Sequence, residues 1–452
     1  MRKNLLDLKE KIKFADGYDY KTARGDLLMK AYGELTKQER EAELAACRAE
    51  FEEFKAKGLK LDMSRGKPGE DQLDLSQGML GPLPGYTSPG GVDCRNYGGL
   101  EGIKEVKDIF SEILELRPEE VIVGGNSSLS LMYDNVAANM LHGAHGGAPW
   151  SKQGDVKFLC PVPGYDRHFS ICEYLGVGMI PVPMTPDGPD MDTVEKLAAT
   201  DPLIKGIWCV PVFSNPDGCV YSDETVLRFA GMKTAADDFR IYWDNAYCVH
   251  QFEGERPVIP NIVRECEKAG NPHRPYVFAS FSKVSFSGAG MAAMASSESN
   301  CEHIRQRLSM QTIGPDKLNH LRHYYFFKDS KGVYAHMEKM AELVRPKFKA
   351  VLDTLESGLG GLEIGKWNSP KGGYFVSFDA PDGCAKRTVA LCKEAGVVMT
   401  GAGATYPYGK DPRDSNIRIA PTYPSVEQLT TAMQVFCLAI RIAALEQLTM
   451  NS

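Results

Sequence analysis

Five short runs of β-branched and aromatic residues, 121–123, 156–160, 206–210, 241–243 and 276–279, alternate with helical stretches through the middle of the chain. Two parallel strands cannot be joined by a tight turn, so this alternation predicts strand-helix-strand units and a mostly parallel sheet with helices on both faces. The residues that follow each run are richer in chemistry than turn segments need to be. They are Gly125-Asn126-Ser127-Ser128, Pro163-Gly164-Tyr165, Ser214-Asn215-Pro216, Asp244-Asn245-Ala246-Tyr247 and Ser280-Phe281-Ser282-Lys283. Ligands bind outside the carboxyl ends of the strands in open α/β sheets, which predicts that these five loops converge on one crevice.

The rest of the chain has a different texture. Thr36-Lys37-Gln38-Glu39 has the pattern of a capping box, and Leu44, Cys47, Phe51 and Phe54 recur at helical spacing up to Gly58. Residues 62–69 are rich enough in glycine and proline to read as a loop. Beyond about residue 331 a long helix through Met337, Met340, Leu343 and Val344 precedes strands at 371–378 and 416–420 and a closing helix at 426–449. With 452 residues the chain is long for one core. The expected organisation is an N-terminal arm and helix, 1–61, packing with a smaller α+β domain, 331–452, and a large α/β domain, 62–330.

A net charge of -7 gives no broad electrostatic reason to bind nucleic acid or an anionic membrane, and neither partner is expected. No uninterrupted apolar stretch approaches the ~20 residues that span a bilayer. Met1-Arg2-Lys3-Asn4-Leu5-Leu6 runs into Asp7-Leu8-Lys9-Glu10 instead of a signal-peptide core, so a cytoplasmic location is expected. Twelve scattered cysteines without a C-x-x-C pair suit free thiols in a reducing compartment. His142 and His145 belong to a glycine-rich stretch expected to be a surface loop, and no metal site is expected.

Lys283 closes an apolar run, and Asp244 and Tyr247 follow another. An amine able to condense with an aldehyde, an aspartate and a tyrosine are the side chains that hold and tune pyridoxal 5'-phosphate. Together with the blocks Gly124-Gly125-Asn126-Ser127-Ser128 and Gln311-Thr312-Ile313-Gly314-Pro315-Asp316-Lys317, they give a chain that resembles the class I/II aminotransferases of fold-type I, and within them the aspartate aminotransferase subgroup Ic, over roughly residues 62–425. The resemblance implies the pyridoxal-phosphate transferase fold and amino acid:2-oxoacid aminotransfer with L-aspartate and 2-oxoglutarate as the pair. The alternatives it leaves are a broad-specificity aminotransferase or a carbon-sulfur or β-decarboxylating lyase. A cofactor-sensing transcription regulator fits less well, because only about sixty residues precede the first substrate-loop motif and no helix-turn-helix is evident.

By the same resemblance Lys283 carries the cofactor and moves the substrate α-proton, Asp244 pairs with the ring nitrogen, and His168 supports Asp244 from behind. Tyr247 and Asn215 reach the ring 3'-oxygen, and Tyr165 stacks on the ring. Asn126, Ser127, Ser128 and Ser280 grip the phosphate at a helix N-terminus. Tyr97, in Asn96-Tyr97-Gly98-Gly99, crosses to the phosphate of a partner subunit, which implies a homodimer with shared sites. Arg418 binds the substrate α-carboxylate with its planar fork, Asn215 also contributes to substrate binding, and Gly66 lets the backbone close over the substrate. Where many relatives carry an arginine for the phosphate this chain has Met291. Ser285, Ser287 or a partner group near Thr312 are the open substitutes. Arg65, Arg305, Arg307 and Lys317 are the open candidates for the distal carboxylate.

Overall fold

The computed structural model describes residues 30–450; the arm up to residue 29, with the Met1 to Glu10 stretch, lies outside them. In chain order the strands are β1 (Leu61–Met63), β2 (Val121–Val123), β3 (Lys157–Val162), β4 (Gly178–Thr185), β5 (Gly188–Pro189), β6 (Ile204–Cys209), β7 (Arg240–Asp244), β8 (Pro275–Ser280), β9 (Ala292–Ala295), β10 (Lys366–Trp367), β11 (Val376–Asp379), β12 (Val397–Met399) and β13 (Asn416–Ile419). Eight of them form one sheet in the order β2-β9-β8-β7-β6-β3-β4-β5. β4, β3, β6, β7 and β8 run parallel. β9 is antiparallel to both its neighbours, so two reversals bring β2 back to the direction of β8. The carboxyl ends of β2, β3, β6, β7 and β8 therefore share one edge, and the five loops named above leave from it.

Burial explains the strand choice. β6, β7 and β8 are buried along their whole lengths. Alternate residues feed two different cores: Ile207, Cys209, Ile241, Trp243, Val277 and Ala279 face one, and Trp208, Tyr242, Tyr276 and Phe278 face the other. A sheet covered on both sides has no polar face, which is why these strands read as apolar runs. The apolar-run pattern misses β9, because Ala-Ala-Met-Ala has little intrinsic strand preference. Its four residues are buried between β2 and β8, where small side chains fit between flanking strands.

A second layer is built from the chain ends. β10, β11 and β13 form an antiparallel sheet, and β1 pairs in parallel with β12. Asp62 and Met63, expected in a loop, thus lie in a strand, and the irregular segment begins at Ser64. Helix Lys37–Lys55 has the expected capping box, with Thr36 Oγ1 accepting from Glu39 N–H and the Glu39 carboxylate accepting from Thr36 N–H. It packs with helix Ser330–Leu359 and helix Ala385–Glu394 around helix Val426–Met450. Among the described residues that last helix meets the length and mean hydropathy of a membrane span, although polar residues interrupt it, and 78% of its most apolar window is buried inside the protein. Arg441 on it is buried and donates to Tyr32 Oη at 2.9 Å and to the Glu43 carboxylate. Among the described residues the twelve cysteines form no disulfide.

Candidate active site

The register of β7 and β8 sets the centre of the site. Asp244, the last residue of β7, pairs with Phe278 of β8, and Lys283 follows two residues after the turn at Phe281. The Lys283 amine lies 5.1 Å from the centre of the Tyr247 ring and 5.7 Å from that of Tyr374. Burial holds its proton affinity below the ordinary lysine value; Asp244 opposes that shift and Arg418 reinforces it. Burial likewise pushes the Tyr247 and Tyr165 phenols well above the usual tyrosine range, with the Asp244 charge adding to both.

Asp244 is itself buried. Its Oδ2 lies 3.0 Å from His168 Nε2, while Oδ1 has no hydrogen-bond partner among the described residues. His168 is held from its other sides by Trp208, stacked at 4.4 Å and 8°, and by the edge-on Tyr165 ring at 4.9 Å. A buried carboxylate oxygen without a partner is costly, so Oδ1 suits a hydrogen-bond donor from outside the described side chains.

Arg418 on β13 comes from the other layer. Its Nη1 donates to Asp166 Oδ1 at 2.7 Å and to Asn215 Oδ1 at 3.3 Å. The Phe375 ring covers the guanidinium at 4.8 Å, and Gly66 stands on the same ring: a Cβ there would lie 2.4 Å from Phe375 Cζ. Gly66 is therefore fixed by close approach.

Asn126, Ser127 and Ser128 precede and open helix Ser128–His142. Asn126 is tied to the lysine loop, donating to Gly288 O at 3.3 Å and accepting from Ser282 Oγ at 2.8 Å. A Cβ on Gly124, Gly125 or Gly288 would meet nothing within 4 Å, which leaves open space at this helix N-terminus. Ser280 ends β8 opposite Ala292.

Other expected residues are engaged elsewhere. Met291 is fully buried in the core, and Ser285, one of the suggested substitutes, bonds His323 Nε2 at 2.8 Å and the Phe281 carbonyl. Thr312 Oγ1 closes a local turn with Gly314, and Ser287 Oγ donates to Ser282 O. Arg305 is ion-paired with Glu101 at 2.7 Å. Arg307 faces Tyr276, Tyr242 and Asp134. Lys317 is buried and donates to the carbonyls of Asn96 and Gly98 at 2.7 and 2.5 Å. It thereby clamps the loop that presents Tyr97, which is 83% exposed. Arg65 is exposed next to Gly66 and makes no ion pair among the described residues.

Four residues of the site escape the sequence pattern. Asp166 directly follows Tyr165, and its position at a helix start is the available signal. Tyr374 and Phe375 lie in a segment that reads as strand interior. His250 gives no signal: its ring packs edge-on against Tyr247 and Tyr374, both at 5.6 Å, and burial, with the nearby Lys283 charge, lowers its pKa to about 3.

A family model for aspartate amino-transferase matches residues 35–452. An aspartate aminotransferase of Corynebacterium glutamicum is 45% identical over 400 residues, covering 88% of this chain and 92% of that protein. A protein of Mycolicibacterium smegmatis is 49% identical over 404 residues, 88% of this chain and 94% of its own. The crystal structure of an aspartate transaminase from Corynebacterium glutamicum superposes with a TM-score of 0.90 at 42% identity, over 93% of this chain and 99% of that one. The α-aminoadipate aminotransferase of Thermus thermophilus, at 20% identity and a TM-score of 0.68 over 87% of this chain and 94% of its own, shares the fold. With identity this high over nearly the whole of both chains, the protein belongs to the aspartate amino-transferase family.

Proposed function

We propose that the protein is a pyridoxal 5'-phosphate-dependent aminotransferase that moves the amino group of L-aspartate to 2-oxoglutarate. One observation carries this reading: an amine of lowered proton affinity, Lys283, beside a buried Asp244 whose Oδ2 is held by His168 and whose Oδ1 lacks a partner among the described residues. A protonated pyridine nitrogen would supply the donor that Oδ1 lacks. Bound there, the cofactor supplies an electron sink that lets the substrate Cα–H bond break toward a base.

The chain's own groups divide the remaining work. Lys283 Nζ takes the Cα proton, a role suited by its burial, which disfavours the ammonium form. His168 orients Asp244, which would keep the ring nitrogen charged. Tyr247 and Asn215 would hold the ring 3'-oxygen, and Tyr165 would pack against the ring. The N–H groups at the start of helix Ser128–His142, with Asn126, Ser127, Ser128 and Ser280, suit the phosphate. With Met291 in the core, that phosphate lacks the arginine expected there. Arg418 takes the substrate α-carboxylate, and Arg65, exposed beside Gly66, is the same-chain cation left for the distal one.

The 45% identical Corynebacterium glutamicum aspartate aminotransferase supports the substrate pair. We further infer a symmetric homodimer in which Tyr97 serves the partner's phosphate; exposed Tyr97, Met310 (86%) and Ile313 (62%) support it. Free cysteines suit a cytoplasmic location. The division into a large domain, 62–330, and a small one, 331–452, joined by helix Lys37–Lys55, suits a site whose Lys283 and Arg418 come from different layers.

The direct test is borohydride reduction of the yellow enzyme followed by peptide mapping. A pyridoxyl group on the Lys283 peptide is the expected result, and modification elsewhere or nowhere would remove the reading.

A further inference from the structure

We propose that Asp166 is a positioning residue that selects which edge of the Arg418 guanidinium meets the substrate, an inference that rests on the carboxylate-binding role assigned to Arg418 above. A guanidinium offers a carboxylate two bidentate edges, Nη1 with Nη2 and Nε with Nη2. In this site Nη1 already donates to Asp166 Oδ1 at 2.7 Å and to Asn215 Oδ1 at 3.3 Å. Phe375 covers one face of the group. Nε is buried and has no partner among the described residues. The Nε edge is thus the one left for an incoming carboxylate.

The place of Asp166 suits a permanent holder better than a temporary occupant. It opens helix Asp166–Tyr174, where the free N–H groups of the first turn stabilise an anion. That helix starts just beyond the end of β3, so its first residue is anchored to the sheet. The Asp166 side chain is 33% exposed and that of Arg418 6%. Asp166 therefore remains hydrated while the arginine is enclosed, and the pair does not have to break when a substrate arrives at the other edge.

Removing the Asp166 carboxylate has two consequences of opposite sign. It frees positive charge for the substrate, and it releases the guanidinium to rotate. In a positioning role the second dominates. If Asp166 instead competes with the substrate for Arg418, its removal tightens binding.

The test compares Asp166→Ala, Asp166→Asn and Arg418→Ala holoenzymes. Steady-state kcat and KM are measured with L-aspartate and L-glutamate, and the dissociation constant of succinate by calorimetry. Asp166→Ala is expected to raise both KM values and the succinate constant about tenfold, the loss of one charge-assisted hydrogen bond, with kcat changed much less. Asp166→Asn keeps an acceptor oxygen and is expected to recover most of the loss. An unchanged or lowered succinate constant in Asp166→Ala overturns the proposal. Should that variant fail to fold by thermal melting, Asp166→Glu displaces the carboxylate by one methylene, and an unchanged constant there overturns it equally. An Arg418→Ala enzyme that binds succinate normally overturns the Arg418 assignment instead.

Discussion

Asp244 commits Oδ2 to His168 at 3.0 Å, so a ring nitrogen has only Oδ1 to meet. Asp244→Asn keeps the shape and removes the charge. It is expected to lower kcat by roughly two to three orders of magnitude, the scale of one lost preorganised electrostatic contact, with a smaller effect on cofactor content. Turnover against bound-cofactor absorbance checks this, and near-normal turnover would mean that Asp244 is not the ring partner. The buried histidines make a separate prediction about pH. Burial is the largest cause that lowers His250 to about 3 and His320 and His323 to about 4, from 6.5. Below 6.5 the unfolded chain takes up protons at these positions that the folded chain refuses. Their stabilisation is therefore complete above pH 6.5 and lost progressively as the pH falls toward 4, at about 1.4 kcal/mol for each pH unit that separates a group's folded and unfolded pKa. Urea midpoints should fall between pH 7 and pH 5, and less steeply in His320→Asn. A pH-independent midpoint would contradict it.

At the scale of elements, the glycine pair 372–373 decides what β11 contributes. Residues 371–378 read as one strand, yet only Val376–Asp379 forms it. A Cβ on Gly372 would lie 2.3 Å from Phe213 Cε2, and Gly373 has φ +81, so this segment packs on Phe213 and leaves the strand. Tyr374 and Phe375 then face Lys283 and Arg418. Alternating pattern alone cannot register that departure. Gly66 is the matching contact from the opposite loop. Gly66→Ala should push Phe375 away from Arg418 and raise KM for aspartate about tenfold or more, because small displacements of a binding group are costly. Its thermal midpoint should move little, since the loop is on the surface of the crevice. A large drop in midpoint with KM unchanged would make Gly66 a folding residue only.

For the whole molecule, the decisive prediction concerns shared sites. Tyr97→Phe and Lys283→Ala chains mixed into hybrid dimers should leave one site with both residues intact, so activity should depart from the average of the parents. Simple averaging would return Tyr97 to its own chain. Lys283, Asp244, Tyr247, Tyr165 and Asn215 are legible in the sequence, because each stands just beyond an apolar run and parallel strands send such positions to a common edge. That depends on local periodicity, which the order of residues carries by itself. The Asp166 to Arg418 pair joins positions 252 residues apart, and His250 comes beside Lys283 within the packing of Tyr247 and Tyr374. In the sequence Arg305 and Lys317 are equal candidates with Arg65, and only the fold gives them to Glu101 and to the carbonyls of Asn96 and Gly98. Which partner satisfies a charge is settled by long-range packing, since burial penalises every unpaired polar group and spacing along the chain says nothing about which one will be near.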